Sequence, residues 1–314
     1  MELRSLVDVD LREALAPINR AARGDFVPAL RTVAQLRERV AAGLLDLGLS
    51  RAGVVGGNVA AACLVLRLAG ENIAHIEALA ADPLAQQRGA VRALIEAVQT
   101  AAGAAGVTEI SALVSDLDRA QLSALQAAGF SRRQMVGRYT LSGAPAARSL
   151  PVELAPGESA PSGQPWIRAV SLADVGAVLS DAASASPLYG ARLPVLTRLS
   201  GRLLALASYP ARTGDEAASA ASAVVVCDCE RKLLCALAGE SEALASLVCF
   251  AASRYGVAHV DALAESDAAV SALAAAGFAR VAARVELVCD PRAAASPQRS
   301  TQAAGSAPAS KGSE

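Results

Sequence analysis

Three things are scarce in this sequence: aromatic side chains, an excess of either charge, and long apolar runs. Phe, Trp and Tyr make up 3% of 314 residues, and 29 basic residues stand against 30 acidic ones for a formal net charge of −1. Without a basic stripe or an aromatic platform, the chain lacks the electrostatic and stacking means of holding a nucleic acid, and no whole-molecule field draws it to an anionic membrane. No apolar run approaches the roughly 20 residues that cross a bilayer. Met1-Glu2-Leu3-Arg4 does not lead a basic segment into an apolar one, so a cytoplasmic protein is expected. Cysteines at 63, 227, 229, 235, 249 and 289 form neither a paired secreted framework nor two C-x-x-C knuckles. Cys227-x-Cys229 with Cys235 has no histidine close by and its flanks read as strand, so buried thiols are expected and no metal.

What is present is apolar bulk: 53% of the residues are hydrophobic and 19% charged, over a length that suits two ordinary domains. Residues 143–165 carry Pro151, Pro156, Gly157, Pro161 and Gly163 and break both helical and strand periodicity, which reads as a linker. Residues 291–314 hold Ala, Ser, Gln, Pro and Gly with no large apolar side chain and are expected to stay disordered. The two halves echo each other. Ser123-Ala-Leu-Gln-Ala-Ala-Gly-Phe130 recurs as Ser271-Ala-Leu-Ala-Ala-Ala-Gly-Phe278, with seven of eight positions identical at an offset of 148.

Periodicity predicts, in residues 1–142, a strand at 3–7, helices at 10–23 and 32–46, strands at 51–56, 59–68 and 72–80, a helix at 89–103, a strand at 108–114, a helix at 118–128 and a strand at 134–141. Gly56-Gly57-Asn58 supplies a hairpin turn. The second half, 166–290, predicts a comparable order: strand 166–170, helix 171–184, strands near 203–208, 222–228 and 232–238, helix 241–254, strand 258–264, helix 267–276 and strand 280–288. Each half is therefore an α/β unit with a mixed, mostly antiparallel sheet flanked by helices.

The chemistry concentrates where a strand runs through Asp82-Pro83 into Gln86-Gln87-Arg88-Gly89-Ala90-Val91 and then into a helical period. A helix start presents N–H groups without intrahelical partners, and the helix dipole adds positive potential there, so an anion such as phosphate is favoured. Gly89 allows close backbone approach; Gln86, Gln87 and Arg88 supply donors and a cation. Just upstream, His75 and Glu77 stand two apart in a strand and so share a face, where either can take the proton of an attacking amine. Packed or surface roles are the competing reading of both.

Gln86-Gln87-Arg88-Gly89-Ala90-Val91 resembles the loop with which the GNAT acyltransferase superfamily grips the pyrophosphate of coenzyme A, with Val91 where the family usually has Gly or Ala. Leu-Gln-Ala-Ala-Gly129-Phe130 resembles the family's ending of the next helix. The resemblance, over most of 1–142, implies an acetyl-CoA or other acyl-CoA cosubstrate and no metal. It implies backbone contacts from Leu79, Ala80 and Ala81 to the pantetheine arm where two parallel strands part, and a cofactor-side place for Asp118, which reads more simply as a helix cap. His75 lies at a spacing from Gln86 similar to that of a catalytic carboxylate in some branches. Arg20, Arg23 and Asp25 lie in a region that borders the acceptor in the family and otherwise read as a solvated loop. Many relatives carry a tyrosine acid where this chain has Leu125, and Leu273 in the second copy.

At an offset of 150, Gly239 in Ala236-Leu-Ala-Gly-Glu-Ser241 falls opposite Gly89, but there Gln and Arg are missing and Glu240 opposes an anion; the second copy therefore reads as degenerate. The expectation is acyl transfer to a small or peptide amine in the first half. A noncatalytic protein that binds coenzyme A or a protein partner is the rival reading.

Overall fold

A computed structural model describes residues 1–23, 30–144, 151–155, 158, 164–174, 193–198, 203–210, 221–264 and 267–295. The first half runs β1 (Glu2–Ser5), α1 (Leu11–Ala22), α2 (Val33–Ala41), β2 (Arg51–Val55), β3 (Asn58–Leu66), β4 (Ile73–Ala81), α3 (Pro83–Gln87), α4 (Ala90–Ala104), β5 (Glu109–Ser115), α5 (Arg119–Ala127) and β6 (Ser131–Leu141). The second runs β7 (Val152–Glu153), β8 (Trp166–Val170), α6 (Leu193–Arg198), β9 (Leu203–Tyr209), β10 (Ala223–Asp228), β11 (Leu233–Gly239), α7 (Ser241–Tyr255), β12 (His259–Ala264), α8 (Asp267–Ala275), β13 (Phe278–Cys289) and α9 (Pro291–Ala295).

Local chemistry accounts for many of these boundaries. Asp10 caps α1 by accepting from the Arg12 N–H, and Thr32 with Gln35 forms a reciprocal capping box at α2. Gly56 and Gly57 take φ of 58° and 83°, the positive pair that a two-residue hairpin between β2 and β3 needs. In α4 the buried positions Ala90, Leu94, Ile95, Val98 and Ala102 make one stripe against the sheet. Burying Leu94, Ile95 and Val98 contributes roughly 1.5–3 kcal/mol each.

Four expectations change. The helix expected over 32–46 stops at Ala41, because Gly43 turns the chain at φ 66° and Leu45 bridges to Leu66. The helix expected over 171–184 begins as a turn at 172–174, where Ser171 and Asp174 hydrogen-bond each other, and the rest lies outside the described residues. Val152–Glu153, inside the expected linker, pairs with β8. Pro291–Ala295, where the disordered tail was expected to start, is a helix packed on α4, with the backbone of Pro291 against Gly103.

Both halves join one 13-stranded sheet in the order β1-β2-β3-β4-β5-β13-β6-β12-β11-β10-β9-β8-β7. Its middle is an exchange. β5 pairs antiparallel with β13 of the second half, from Ile110↔Cys289 to Ser115↔Arg284, while β12 pairs with β6 of the first. β6 and β13 pair antiparallel with each other along almost their whole lengths, so the two copies are related about this central pair. α1 and α2 share a core with one face of β2–β4; α4 and α5 share another with the opposite face and with Val285, Leu287 and Cys289 of β13. No helix among the described residues is long and apolar enough to cross a membrane.

Candidate active site

β4 and β5 run parallel and are paired only from Ile73↔Glu109 to Ile76↔Ala112. Beyond that point they part. The parting begins at a bulge: Val65 lies opposite Ile76 and Leu64 opposite Ala78, which leaves Glu77 as the extra residue on β4. Leu79, Ala80 and Ala81 keep their ladder to Cys63, Ala62 and Ala61 of β3, and their other edge faces the gap, where the resemblance implies a pantetheine arm. Gln121 of α5 reaches across and donates its Nε2 amide to the Leu79 carbonyl at 3.0 Å. Leu84 and Leu117, both exposed, flank the open end.

At that end the chain makes one turn of helix before α4, so Gln86 and Gln87 lie in α3 rather than in an open loop. The turn consumes two of the expected donors: the Arg88 N–H donates to Ala85 O at 3.1 Å and the Gly89 N–H to Gln86 O at 3.0 Å. The N–H groups of Ala90, Val91 and Arg92, in the first turn of α4, are then the ones an anion meets. Gly89 precedes them with φ 78°, and a Cβ there would meet no atom within 4 Å, so backbone conformation rather than crowding calls for glycine. The side chains of Gln86, Gln87 and Arg88 are exposed around this turn. Val91 packs its branched side chain against the core on the α4 face. Asp118 caps α5, its carboxylate accepting from the Gln121 N–H at 2.9 Å.

His75 and Glu77 share a strand face, that of α1 and α2. His75 is 7% exposed, and its Nδ1 lies 2.9 Å from Ser111 Oγ. Ser111 Oγ in turn reaches the Ala74 carbonyl at 3.5 Å; with the serine proton assigned to that carbonyl, its oxygen accepts Nδ1–H. That assignment makes Nε2 the basic atom. Burial pushes the imidazole down to about 4, with the Arg39 and Arg284 charges acting in the same direction and Glu77 opposing them. Burial also works against ionisation of Glu77, but Arg39 and Arg31 outweigh it and hold the carboxyl at about 2. Arg31 Nη2 donates to both Oε1 (3.0 Å) and the backbone O (3.1 Å) of Glu77, and Arg39 Nη1 donates to the same Oε1.

Ser111, Arg31, Arg39 and Gln121 were not among the sequence candidates, because each reaches the site from a distant element and no local motif marks it. Arg20 pairs with Asp82 at the entrance to α3. Arg20 and Arg23 line a cavity of about 480 Å³ together with Arg12, Asn19 and Arg31; Asp25 lies outside the described residues. This cavity is at the α1–α2 side of β4, not between the parted strands. Leu125 is buried in the core.

The second half keeps the frame and lacks the loop. β11 has the matching bulge, with Val226 opposite Ala236 and Cys227 opposite Leu234, so Cys235 occupies the position of Glu77. β11 and β12 pair only at Leu233↔His259 and Leu234↔Val260 before parting. β11, however, ends at Gly239, paired with Ala223 as Ala81 is with Ala61, and α7 starts at Ser241. Gly239 thus corresponds to Ala81 and not to Gly89. The eight residues 82–89 of the first half are replaced by Glu240 alone.

Residues 34–130 match the acetyltransferase (GNAT) family. No curated protein matches the chain by sequence. Among solved structures, it is similar to a tandem GNAT protein from the clavulanic acid biosynthesis pathway (TM-score 0.65, 18% identity, 92% of this chain and 99% of that one). It is likewise similar to a GCN5-related N-acetyltransferase from Sphaerobacter thermophilus (TM-score 0.62, 15% identity, 93% and 96%). A third is a GCN5-related N-acetyltransferase from Anabaena variabilis (TM-score 0.54, 13% identity, 92% and 72%).

Proposed function

We propose that residues 34–130, which match the GNAT family, are the working domain of a tandem GNAT fold with a degenerate second copy, and that this first half transfers an acyl group from acyl-CoA to an amine. The parting of β4 from β5 beyond Ile76 and Ala112, with the first turn of α4 at its mouth, carries this reading. The pyrophosphate sits on the N–H groups of Ala90 and Val91 amid Gln86, Gln87, Arg88 and Gly89. The pantetheine lies along Leu79, Ala80 and Ala81, with Asp118 on the cofactor side as the cap of α5. Docking the arm there displaces Gln121 from the Leu79 carbonyl.

The neutral amine attacks the thioester carbonyl, forming N–C and giving a zwitterionic tetrahedral centre. Its ammonium proton passes to His75 Nε2, directly or through water. The C–S bond then breaks with its electron pair on sulfur, and solvent protonates the thiolate. A base near 4 takes a proton only after attack has acidified the nitrogen, so kcat/KM is expected to rise with the unprotonated fraction of the amine and to show no inflection near 6.5. Glu77, tied to two guanidinium groups, positions Arg31 and Arg39 and gives the acceptor side its charge balance. Buried Leu125 in the tyrosine position leaves no phenol for the departing thiolate, which favours a second reading, a protein that binds coenzyme A without turnover.

Calorimetric titration with acetyl-CoA tests both, using the wild type and a Gln87→Ala/Arg88→Glu/Gly89→Asp variant. One-site binding lost in the variant, with thiol release in the presence of an amine panel, is the expected result. Binding without thiol release supports the second reading, and a folded protein that does not bind removes both.

A further inference from the structure

The cavity at the α1–α2 side of β4 has an unusual charge composition. Four of its lining residues are Arg12, Arg20, Arg23 and Arg31, and among the described residues none of the lining is an acid. Two of these charges are already matched, Arg20 by Asp82 and Arg31 by Glu77. Among the described residues no carboxylate pairs with Arg12 or Arg23. The molecule as a whole is balanced at −1, so among the described residues Arg12 and Arg23 bring two guanidinium charges without a carboxylate partner to a concave space of about 480 Å³.

The cavity is also built into the site. Asn19 acts as a backbone mimic for α1: its Nδ2 donates to Arg31 O and its Oδ1 accepts the Arg31 N–H, both at 2.8 Å. That clamp fixes Arg31 where its guanidinium belongs at once to the cavity wall and to Glu77, two residues from His75. A molecule in the cavity therefore meets Arg31, which reaches Glu77 on the face of β4 that His75 shares.

We propose that the acceptor is a small amine bearing a carboxylate, held by Arg12 and Arg23 with its amine directed past Arg31 to the acyl carbon. Guanidinium groups present paired donors to a planar anion, and in a concave site such contacts decide between an acid and its amide. The proposal rests on the acyl-transfer reading for the word acceptor; the cavity's preference for a carboxylate does not.

The test uses N-acetyl amino acids and their amides as probes, titrated into the full chain with and without saturating coenzyme A, for the wild type and an Arg12→Gln/Arg23→Gln variant. Acetyl-CoA affinity is measured in parallel. The expected result is a preference for the acid over the amide on the order of tenfold, abolished in the glutamine variant and reduced without being abolished in an Arg12→Lys/Arg23→Lys variant, which keeps the charge and loses the paired donors, with acetyl-CoA affinity unaltered. Equal binding of acid and amide overturns the proposal. So does a parallel loss of acetyl-CoA affinity, which would assign the arginines to the phosphates of coenzyme A. Failure of the wild type to bind acetyl-CoA would instead sink the acyl-transfer reading, while the acid-over-amide comparison still reports on the cavity.

Discussion

At the scale of single residues, His75 and Glu77 show how one strand can carry two buried titratable groups in opposite balance. Glu77 is stabilised in its charged form and contributes stability above its unfolded value near 4.5, lost as pH falls toward 2. His75 is the reverse: its folded value near 4 lies below the unfolded 6.5, so the unfolded chain binds the proton first and stability falls as pH drops from 6.5 to 4. Between pH 7 and pH 5 this amounts to about 2 kcal/mol. Urea unfolding at the two values should show that loss in the wild type and little of it in His75→Gln; equal losses would mean the imidazole is not desolvated as the structure has it. The face shared by these residues was legible from their spacing alone. Their partners were not, because Ser111 is 36 residues away from His75 and Arg39 is 38 from Glu77, and no local pattern records which strand or helix will come alongside.

At the scale of elements, the two copies differ most where strand meets helix. Repetition read at a constant offset sets Gly239 opposite Gly89, since both are glycines before a helix. The strand ladders separate them, and so does the reason each is glycine. At Gly89 the demand is a left-handed backbone in open space, and Gly89→Ala should cost about 1–2 kcal/mol with the sheet intact. At Gly239 a Cβ would stand 2.3 Å from Ser222 O and 2.5 Å from Ala223 Cα, both backbone atoms. Gly239→Ala must shift a strand and should destabilise by several kcal/mol; thermal unfolding of the pair checks the order, and an equal effect would mean that the β10–β11 edge is looser than described. The long helices α1, α4, α5, α7 and α8 and most strands followed from periodicity, caps and the Gly56-Gly57 turn because those signals are local, whereas the short helices α3, α6 and α9 did not. The missing 82–89 loop in the second copy was hidden because a gap leaves no residue to read.

At the scale of the whole molecule, the exchange of β6 and β13 makes the halves interdependent. The core beneath α4 includes Val285, Leu287 and Cys289 of the second half, and the core around α7 includes Tyr139 of the first, with Leu141 packed against it. Residues 1–142 expressed alone would expose the β5 edge and lose part of that core, and should be aggregated or unfolded by circular dichroism, whereas the full chain should unfold in one transition seen alike by several probes. A soluble, folded 1–142 fragment that binds acetyl-CoA would show that the exchange is dispensable. Nothing in either half's own pattern announces this pairing, since a strand's alternation fixes which face is buried and not whose neighbour it becomes.

The same exchange sets an order in time. Ribosomal synthesis delivers β5 roughly 170 residues before its partners on β13, as the separation of Ser115 and Arg284 shows, so throughout that interval the nascent first half has the turn before α4 but an open sheet edge. On the acyl-transfer proposal, acyl-CoA binding is then an event of the released or nearly complete chain, and ribosome-stalled chains ending before Phe278 should emerge without it.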